Sequence, residues 1–215
     1  MQNYHRHSSY SNIYIADSAV MNEDYAKRAV EVGHKIISSV EHGWQGYYYQ
    51  TFELAKKYNL KFVFGAEAYW VKDRTEKDKT NCHIIILAKN ENGRRAINEV
   101  LSEANETGYY FRPRLDLDLL LSLPPKDVFV TTACIAFWKY DDIEEIVLKL
   151  KEHFQNNLML EIQYHNTPQQ IALNKKIKKI AYNNDIQMIV GLDSHYIYPE
   201  PVSYPHLTLP TSDLV

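Results

Sequence analysis

The sequence predicts an α/β fold with a largely parallel sheet, open or closed into a barrel. Short apolar runs rich in Val, Ile and Phe recur along the chain, as buried strands do. Segments with helical periodicity alternate with them. The length of 215 residues suits one domain around one sizeable core.

The strand-like runs lie around Tyr4 and over residues 35–40, 61–70, 82–88, 127–132, 157–163 and 186–192. Between the first two, Asn22 is placed to cap a helix with Glu23 and Asp24 in its first turn, ending near Gly33. Residues 45–59 put Tyr48, Phe52 and Ala55 on one helical face, and residues 93–106 do the same with Ile97, Val100 and Leu101. Helices over 141–154 and 167–184 follow, the latter with Ile171, Ile177 and Ile180 as core positions. One link breaks the alternation. Residues 72–81, KDRTEKDKTN, are charged and have no apolar face. A parallel crossover needs a dozen or more residues, usually with a helix, so an antiparallel pairing or a distorted crossover is expected there.

Composition narrows the function classes. Apolar content of 45% and charged content of 24% are ordinary for a globular chain. A formal net charge of -3 means that nucleic-acid contact has to come from a local basic patch. No apolar run is long enough to span a membrane, and the N-terminus MQNYHRHSSY is polar from the start. Two cysteines, Cys82 and Cys134, are 52 residues apart, which reads as a reduced cytoplasmic protein. The 17 tyrosines are read as amphipathic packing residues. Residues 201–215, PVSYPHLTLPTSDLV, carry three prolines and no periodicity. They read as a non-native or disordered tail, either a linker or stray sequence fused to a broken reading frame, and His206 is excluded from the site.

The residues that carry chemistry begin with His5-Arg6-His7-Ser8. In extended backbone, residues two apart share a face, so His5 and His7 are placed to grip one ion. Ligand-type residues then recur at strand ends: Glu41-His42-Gly43, Glu67 in GAEAY, Cys134 in TTAC, and Asp193-Ser194-His195. Strand carboxyl ends converge on one rim in barrels and open α/β sheets. A lone carboxylate or histidine at a strand end is usually a solvated turn residue, but four such ends after an HxH are harder to dismiss. His83 begins its run rather than ending it. An antiparallel hairpin would bring it beside the end of the Glu67 strand.

The motifs HRHSSYS, EHGWQG, GAEAYW, CHIIILAKN, GYYFRPR, TTACIAF and GLDSHY occur in the order found in the PHP (polymerase and histidinol phosphatase) domain. The chain most resembles the N-terminal PHP domain of the bacterial and phage DNA polymerase III alpha subunit, over about residues 3–200. HIIILAKN and GYYFRPR resemble the polymerase branch in particular. The resemblance implies a distorted (β/α) barrel of about seven strands of the TIM-like, PHP type, spanning residues 1–200. It implies metal ligation by His5, His7, Asp17, His42, Glu67, His83, Cys134, Asp193 and His195. Two departures stand out. The His7–Asp17 spacer is longer than in the common cellular pattern, and Glu41 stands where Asp is usual, without being expected to bind metal.

The chemistry of that donor set is coherent by itself. Imidazoles suit Zn, Mn and Fe, carboxylates bridge pairs of ions, and a thiolate draws a softer metal. Two or three divalent ions are expected, with Glu67 as bridge and with Glu67, His7 and His195 acting in catalysis through bound metal and water. The expected activity is hydrolysis of a phosphodiester, as a 3′–5′ exonuclease at a DNA end, in a piece of a longer alpha subunit or a stand-alone relative of it. The polymerase palm is absent from these residues. Two rivals are a small-molecule phosphatase of the histidinol-phosphatase branch and a non-catalytic scaffold that stabilises the polymerase. Arg112 and Arg114, flanking Pro113, are placed either to meet a nucleic-acid phosphate or to pack their loop. Lys175, Lys176, Lys178 and Lys179 read as a solvated helix face, with DNA contact as the alternative, His34 and His153 read as structural, and His165 is placed where it can border the site, although the resemblance assigns it no role.

Overall fold

The computed structural model describes residues 2–14, 16–80 and 82–198. The tail over residues 201–215, and with it His206, lies outside the described residues. Among the described residues, six α-helices and seven strands run in the order α1 (Asn22–Glu31), β1 (Ile36–Ser39), α2 (Tyr48–Lys57), β2 (Lys61–Trp70), β3 (Cys82–Ala88), α3 (Glu91–Thr107), β4 (Arg114–Leu115), α4 (Leu117–Leu121), β5 (Val128–Thr132), α5 (Ile143–Phe154), β6 (Leu158–Gln163), α6 (Pro168–Asn183) and β7 (Gln187–Gly191).

The strands form one curled sheet in the order β1-β2-β3-β5-β6-β7, with β4 added to the end of β2. The β1–β2, β5–β6 and β6–β7 pairs are parallel. β3 is antiparallel to both neighbours, with Tyr69 opposite His83 on one side and Ile84 opposite Thr132 on the other. The charged link before β3 is thus a hairpin connection, as its length required. Arg114 explains how so polar a link is held. Its guanidinium, 2% exposed, donates to the carbonyls of Arg74, Glu76, Asp78 and Gly108.

The barrel is distorted by a gap between β7 and β1, which the N-terminal segment fills without forming a regular strand. The run around Tyr4 supplies only an isolated parallel bridge, Arg6 to Ser194. His7 N donates to Ser194 O at 2.9 Å, and Ser194 N donates to His5 O at 3.2 Å. On the other side Arg6 reaches β1, its guanidinium donating to Ser38 O and, at 2.7 Å, to Asn22 Oδ1. Asn22 is therefore spent on Arg6. It is the first residue of α1 and does not cap it; the N-cap is Met21, with no side-chain bond.

The main core lies between the outer sheet face and α3 to α6, with Ile84, Ile86, Ile97, Leu120, Val147, Leu150 and Ile177 all at 1% exposure or less. A smaller cluster of Tyr4, Val40, Ile85, Leu87 and Ala133 fills the inner face. Helical capping follows sequence chemistry where short polar residues stand at the right place: Asn90, Asp116 and Thr167 each accept from a backbone N–H of the first turn. Two expected core positions face solvent. Phe52 and Ile171 are 36% and 44% exposed, because the buried stripes fall on Thr51 and Ala55 in α2 and on Leu173, Ile177 and Ile180 in α6. Among the described residues, no helix is long and apolar enough to cross a membrane.

Candidate metal centre

Alternation along the N-terminal segment sets the first half of the site. Arg6 points out towards α1 and β1, so His5 and His7 both point inward, and both are fully buried. Glu67 enters from β2, on the face it shares with Tyr69. His83 enters from β3 opposite Tyr69. His42 follows β1 and bridges to Glu67, with Gly43 N donating to Glu67 O at 2.8 Å. Gly43 is required at that turn: its φ is +71°, and a Cβ there would lie 2.8 Å from the Tyr69 ring.

Glu67 is the hub. One carboxylate oxygen lies 3.4 Å from His5 Nε2 and 3.0 Å from His83 Nδ1. The other lies 2.8 Å from His7 Nε2 and 3.0 Å from His42 Nδ1. Asp193 adds Oδ1 at 3.2 Å from His5 Nε2 and 3.3 Å from His7 Nε2. Its backbone sits at φ +45°, a left-handed conformation that Asp tolerates better than most residues. Asp17 Oδ2 lies 3.0 Å from His42 Nε2 and 3.5 Å from His195 Nε2. Cys134 faces His83, near enough for the two to shift each other's protonation. All nine residues read from the sequence therefore converge. Three groups among them have ligand atoms within 4.8 Å of one another: His7, His42 and His195; His5, His7 and Asp193; His42, Glu67 and His83.

Around this cluster stands a shell that orients the imidazoles. Glu161, 1% exposed, accepts from His5 Nδ1 at 2.8 Å, from the Tyr4 hydroxyl and from Gln163 Nε2 at 2.8 Å. Burial and Glu161 together push the Tyr4 phenol far above its ordinary value, so it stays a donor. Gly191 leaves the room: a Cβ there would lie 2.1 Å from the Glu161 carboxyl carbon. Glu41 accepts from Ser8 N, Ser8 Oγ and Ser11 Oγ, and Ser11 Oγ lies 3.0 Å from His7 Nδ1. Since Ser11 gives its proton to Glu41, its oxygen is left to accept from His7 Nδ1–H. His195 Nδ1 faces Asp193 O at 3.0 Å. In each case one ring nitrogen is engaged by the protein and the other is left for the cavity.

Glu161 was not among the residues the motifs marked, and Ser8, Ser11 and Glu41, though inside HRHSSYS and EHGWQG, were given no orienting role. A carboxylate inside the apolar strand LMLEIQ was the one local signal for Glu161, since an ionised group is rarely buried without a partner. His165 is exposed.

The charges are strongly coupled. Burial alone would push His5, His42 and His83 towards neutrality, but the carboxylates overcome it. Glu161, Asp193 and Glu67 hold His5 well above its ordinary value, Glu67 and Asp17 raise His42, and Glu67 and Cys134 hold His83 well above. Conversely, burial is outweighed at Glu67 and Asp193 by the surrounding imidazoles, and both carboxyls sit well below the usual range. The Cys134 thiol, raised by burial and lowered more by His83, ends below its ordinary value.

The PHP domain family profile matches residues 3–165. The chain belongs to the PHP domain family. This PHP domain is 30% identical to a DNA polymerase III subunit alpha of Aquifex aeolicus over 95% of its length, and 29% identical to that of Borreliella burgdorferi over 91%. It is 28% identical, over 91% of its length, to a DNA-directed DNA polymerase of Bacillus phage SPbeta. It spans 18–19% of the length of these relatives. Among solved structures it resembles a protein from Bifidobacterium adolescentis provisionally described as a metal-dependent phosphoesterase, with a TM-score of 0.60, 13% identity, and 94% and 91% of the two chains covered. It also resembles an amidohydrolase from Chromobacterium violaceum, with a TM-score of 0.59, 13% identity, and 90% and 87% covered. Both likenesses concern the fold.

The donor set of this PHP domain fits a metal cluster. His5 Nε2, His7 Nε2, His42 Nδ1 and both Glu67 oxygens are buried without a hydrogen-bond partner of proper geometry. Lone pairs left bare in a dry cavity are costly unless a cation meets them. The two arginines part company. Arg114 is buried and spent on backbone carbonyls, so the loop-packing alternative describes it and phosphate contact does not. Arg112 lies with its guanidinium 4.9 Å over the Tyr69 ring, beside the cluster.

Proposed function

We propose that this PHP domain holds two or three divalent ions, Zn, Mn or Fe, on His5, His7, Asp17, His42, Glu67, His83, Cys134, Asp193 and His195, and hydrolyses a phosphodiester with them. The observation that carries the reading is Glu67, one buried carboxylate with four imidazoles converging on its two oxygens. When bound, paired ions polarise a phosphoryl oxygen and ionise a water near neutral pH.

This chain's own residues supply the rest. Glu67 would bridge two ions, which makes it the residue on which the geometry of the pair depends. His7 and His195 face the same part of the cavity, their rings 4.7 Å apart, and would hold the reacting end of the cluster. Ser11, Glu41 and Glu161 keep the imidazoles turned with one nitrogen inward. Burial of the donors excludes water from all but the open side, where Asp17, His83, Asp193 and His195 keep 13–23% of their side-chain surface exposed.

The preferred substrate is a DNA 3′ end, cleaved in the 3′–5′ direction in the cytoplasm, with the domain acting as part of a longer polymerase alpha subunit. Similarity to polymerase subunits supports that choice over a small-molecule phosphatase, and the filled ligand set supports it over a scaffold. The test offers end-labelled single-stranded DNA, and separately histidinol phosphate, with Mn²⁺ or Zn²⁺. Cleavage of DNA that Glu67→Ala abolishes is the expected result. Turnover of histidinol phosphate alone would favour the phosphatase, and a fully metallated chain that turns over neither would favour the scaffold.

A further inference from the structure

The loop between α3 and β4 presents its aromatic residues in an unusual way. Tyr110 N donates to Arg112 O at 3.1 Å, and the two residues bridge, so Phe111 stands at the tip of a very tight turn. Phe111 adopts φ +62° and is 59% exposed. That backbone is unfavourable for a bulky L residue and easy for glycine. An exposed ring recovers little by burial in return. Among the described residues the Tyr110 ring, edge-on at 4.8 Å, and Lys79 meet it, and strained positions of this kind cluster at ligand contacts.

The tip is tied to the metal centre. Next in the chain, Arg112 lies over Tyr69, and the Tyr69 ring lies 5.2 Å from that of His83 and 6.0 Å from that of His42. On the other flank Tyr14 meets Tyr69 edge-on at 5.9 Å. Tyr109, two residues before Phe111 on the same loop, is 57% exposed. Lys79 places its ammonium 4.3 Å from the centroid of the Phe111 ring. Lys79, Phe111 and Arg112 thus form a rim of rings and cations that backs onto the cluster through the buried Tyr69.

We propose that this rim is a stacking platform for single-stranded nucleic acid, with Phe111 and Tyr109 taking bases and Arg112 and Lys79 taking phosphates. It rests on the phosphodiester reading of the cluster and extends it to how the strand is gripped. Aromatic faces accept any base, so grip by stacking is independent of sequence, as suits an end-directed hydrolase. The 71–80 link also carries Asp73, Glu76 and Asp78, so its field is mixed. The rings therefore carry most of the grip, and the salt dependence is shallow, set by about two phosphates.

The experiment measures binding of a labelled oligothymidylate, and of an abasic oligomer of equal length, by fluorescence anisotropy in chelator with no turnover. The native chain should prefer the oligothymidylate by about tenfold for a principal stacking ring. Phe111→Gly should remove most of that preference while leaving Tm unchanged or higher, because it relieves the positive φ. A purely structural Phe111 would show the opposite, a lower Tm with the preference intact. Should Phe111→Gly lower Tm and binding together, Tyr109→Ser, which leaves the backbone alone, decides: loss of preference at native Tm upholds the proposal. Equal affinity for the two oligomers overturns it and leaves the rim as a surface for another protein. Because no turnover is read, a centre that hydrolyses nothing would not disturb a positive result.

Discussion

His5 Nδ1 lies 2.8 Å from the carboxylate of Glu161, and that contact leaves His5 Nε2 facing the cavity beside Glu67 and Asp193. The two residues are 156 positions apart, and both are buried. A carboxylate behind a metal-binding imidazole fixes its tautomer and raises its basicity.

Glu161→Gln should therefore lower metal affinity by about 10–100-fold while leaving the fold intact. Titration of the chelated protein with Zn²⁺ by calorimetry measures this. Unchanged affinity would show that the Glu161 socket serves packing alone.

Replacing the hub has a different signature. Glu67→Ala should reduce the bound metal by more than one equivalent, because its two oxygens face different imidazoles. Turnover of a DNA end should fall to near zero. Elemental analysis beside an end-labelled assay checks both, and loss of turnover with full metal content would contradict the bridging role.

The metal-free protein should lose stability as pH rises. His5, His42 and His83 are raised above their ordinary value in the folded chain. Between about pH 6.5 and those raised values, the folded state binds more protons than the unfolded one. Their contribution is full below about 6.5 and fades as pH climbs through the folded values. Bound metal replaces those protons, so it should stabilise more at high pH than at low pH. Melting temperatures with and without chelator across pH 6 to 9 should diverge as pH rises. A gap that narrows with pH would overturn the argument.

Arg114→Ala should cost about 2–4 kcal/mol, since it strips donors from four carbonyls that hold the 71–80 link and the end of α3. Denaturant unfolding measures the loss. The salt dependence of DNA binding should be unchanged, because the guanidinium is buried.

Much of the site was legible in the order of residues because the ligands sit where strands end, and a strand end is a local property. The two-residue spacing of His5 and His7 follows from extended backbone that needs no tertiary context, whereas Asp193, at φ +45°, reaches the cluster from outside the extended region. The hairpin that brings His83 to Tyr69 was likewise implied by a link too short and too charged for a crossover.

What only the folded chain decided lies where partners are far apart in sequence. Whether Arg114 meets phosphate or packs its loop depended on carbonyls up to 40 residues away. Whether the run at Tyr4 becomes a strand depended on the gap between β7 and β1, which accepts one bridge and no ladder. Glu161 became a partner of His5 only when β6 curled in front of the N-terminal segment. Side-chain alternation and turn chemistry act over a few residues and can be read from order. Pairing of buried polar groups is selected by the cost of leaving them bare, and that cost exists only once water has been excluded.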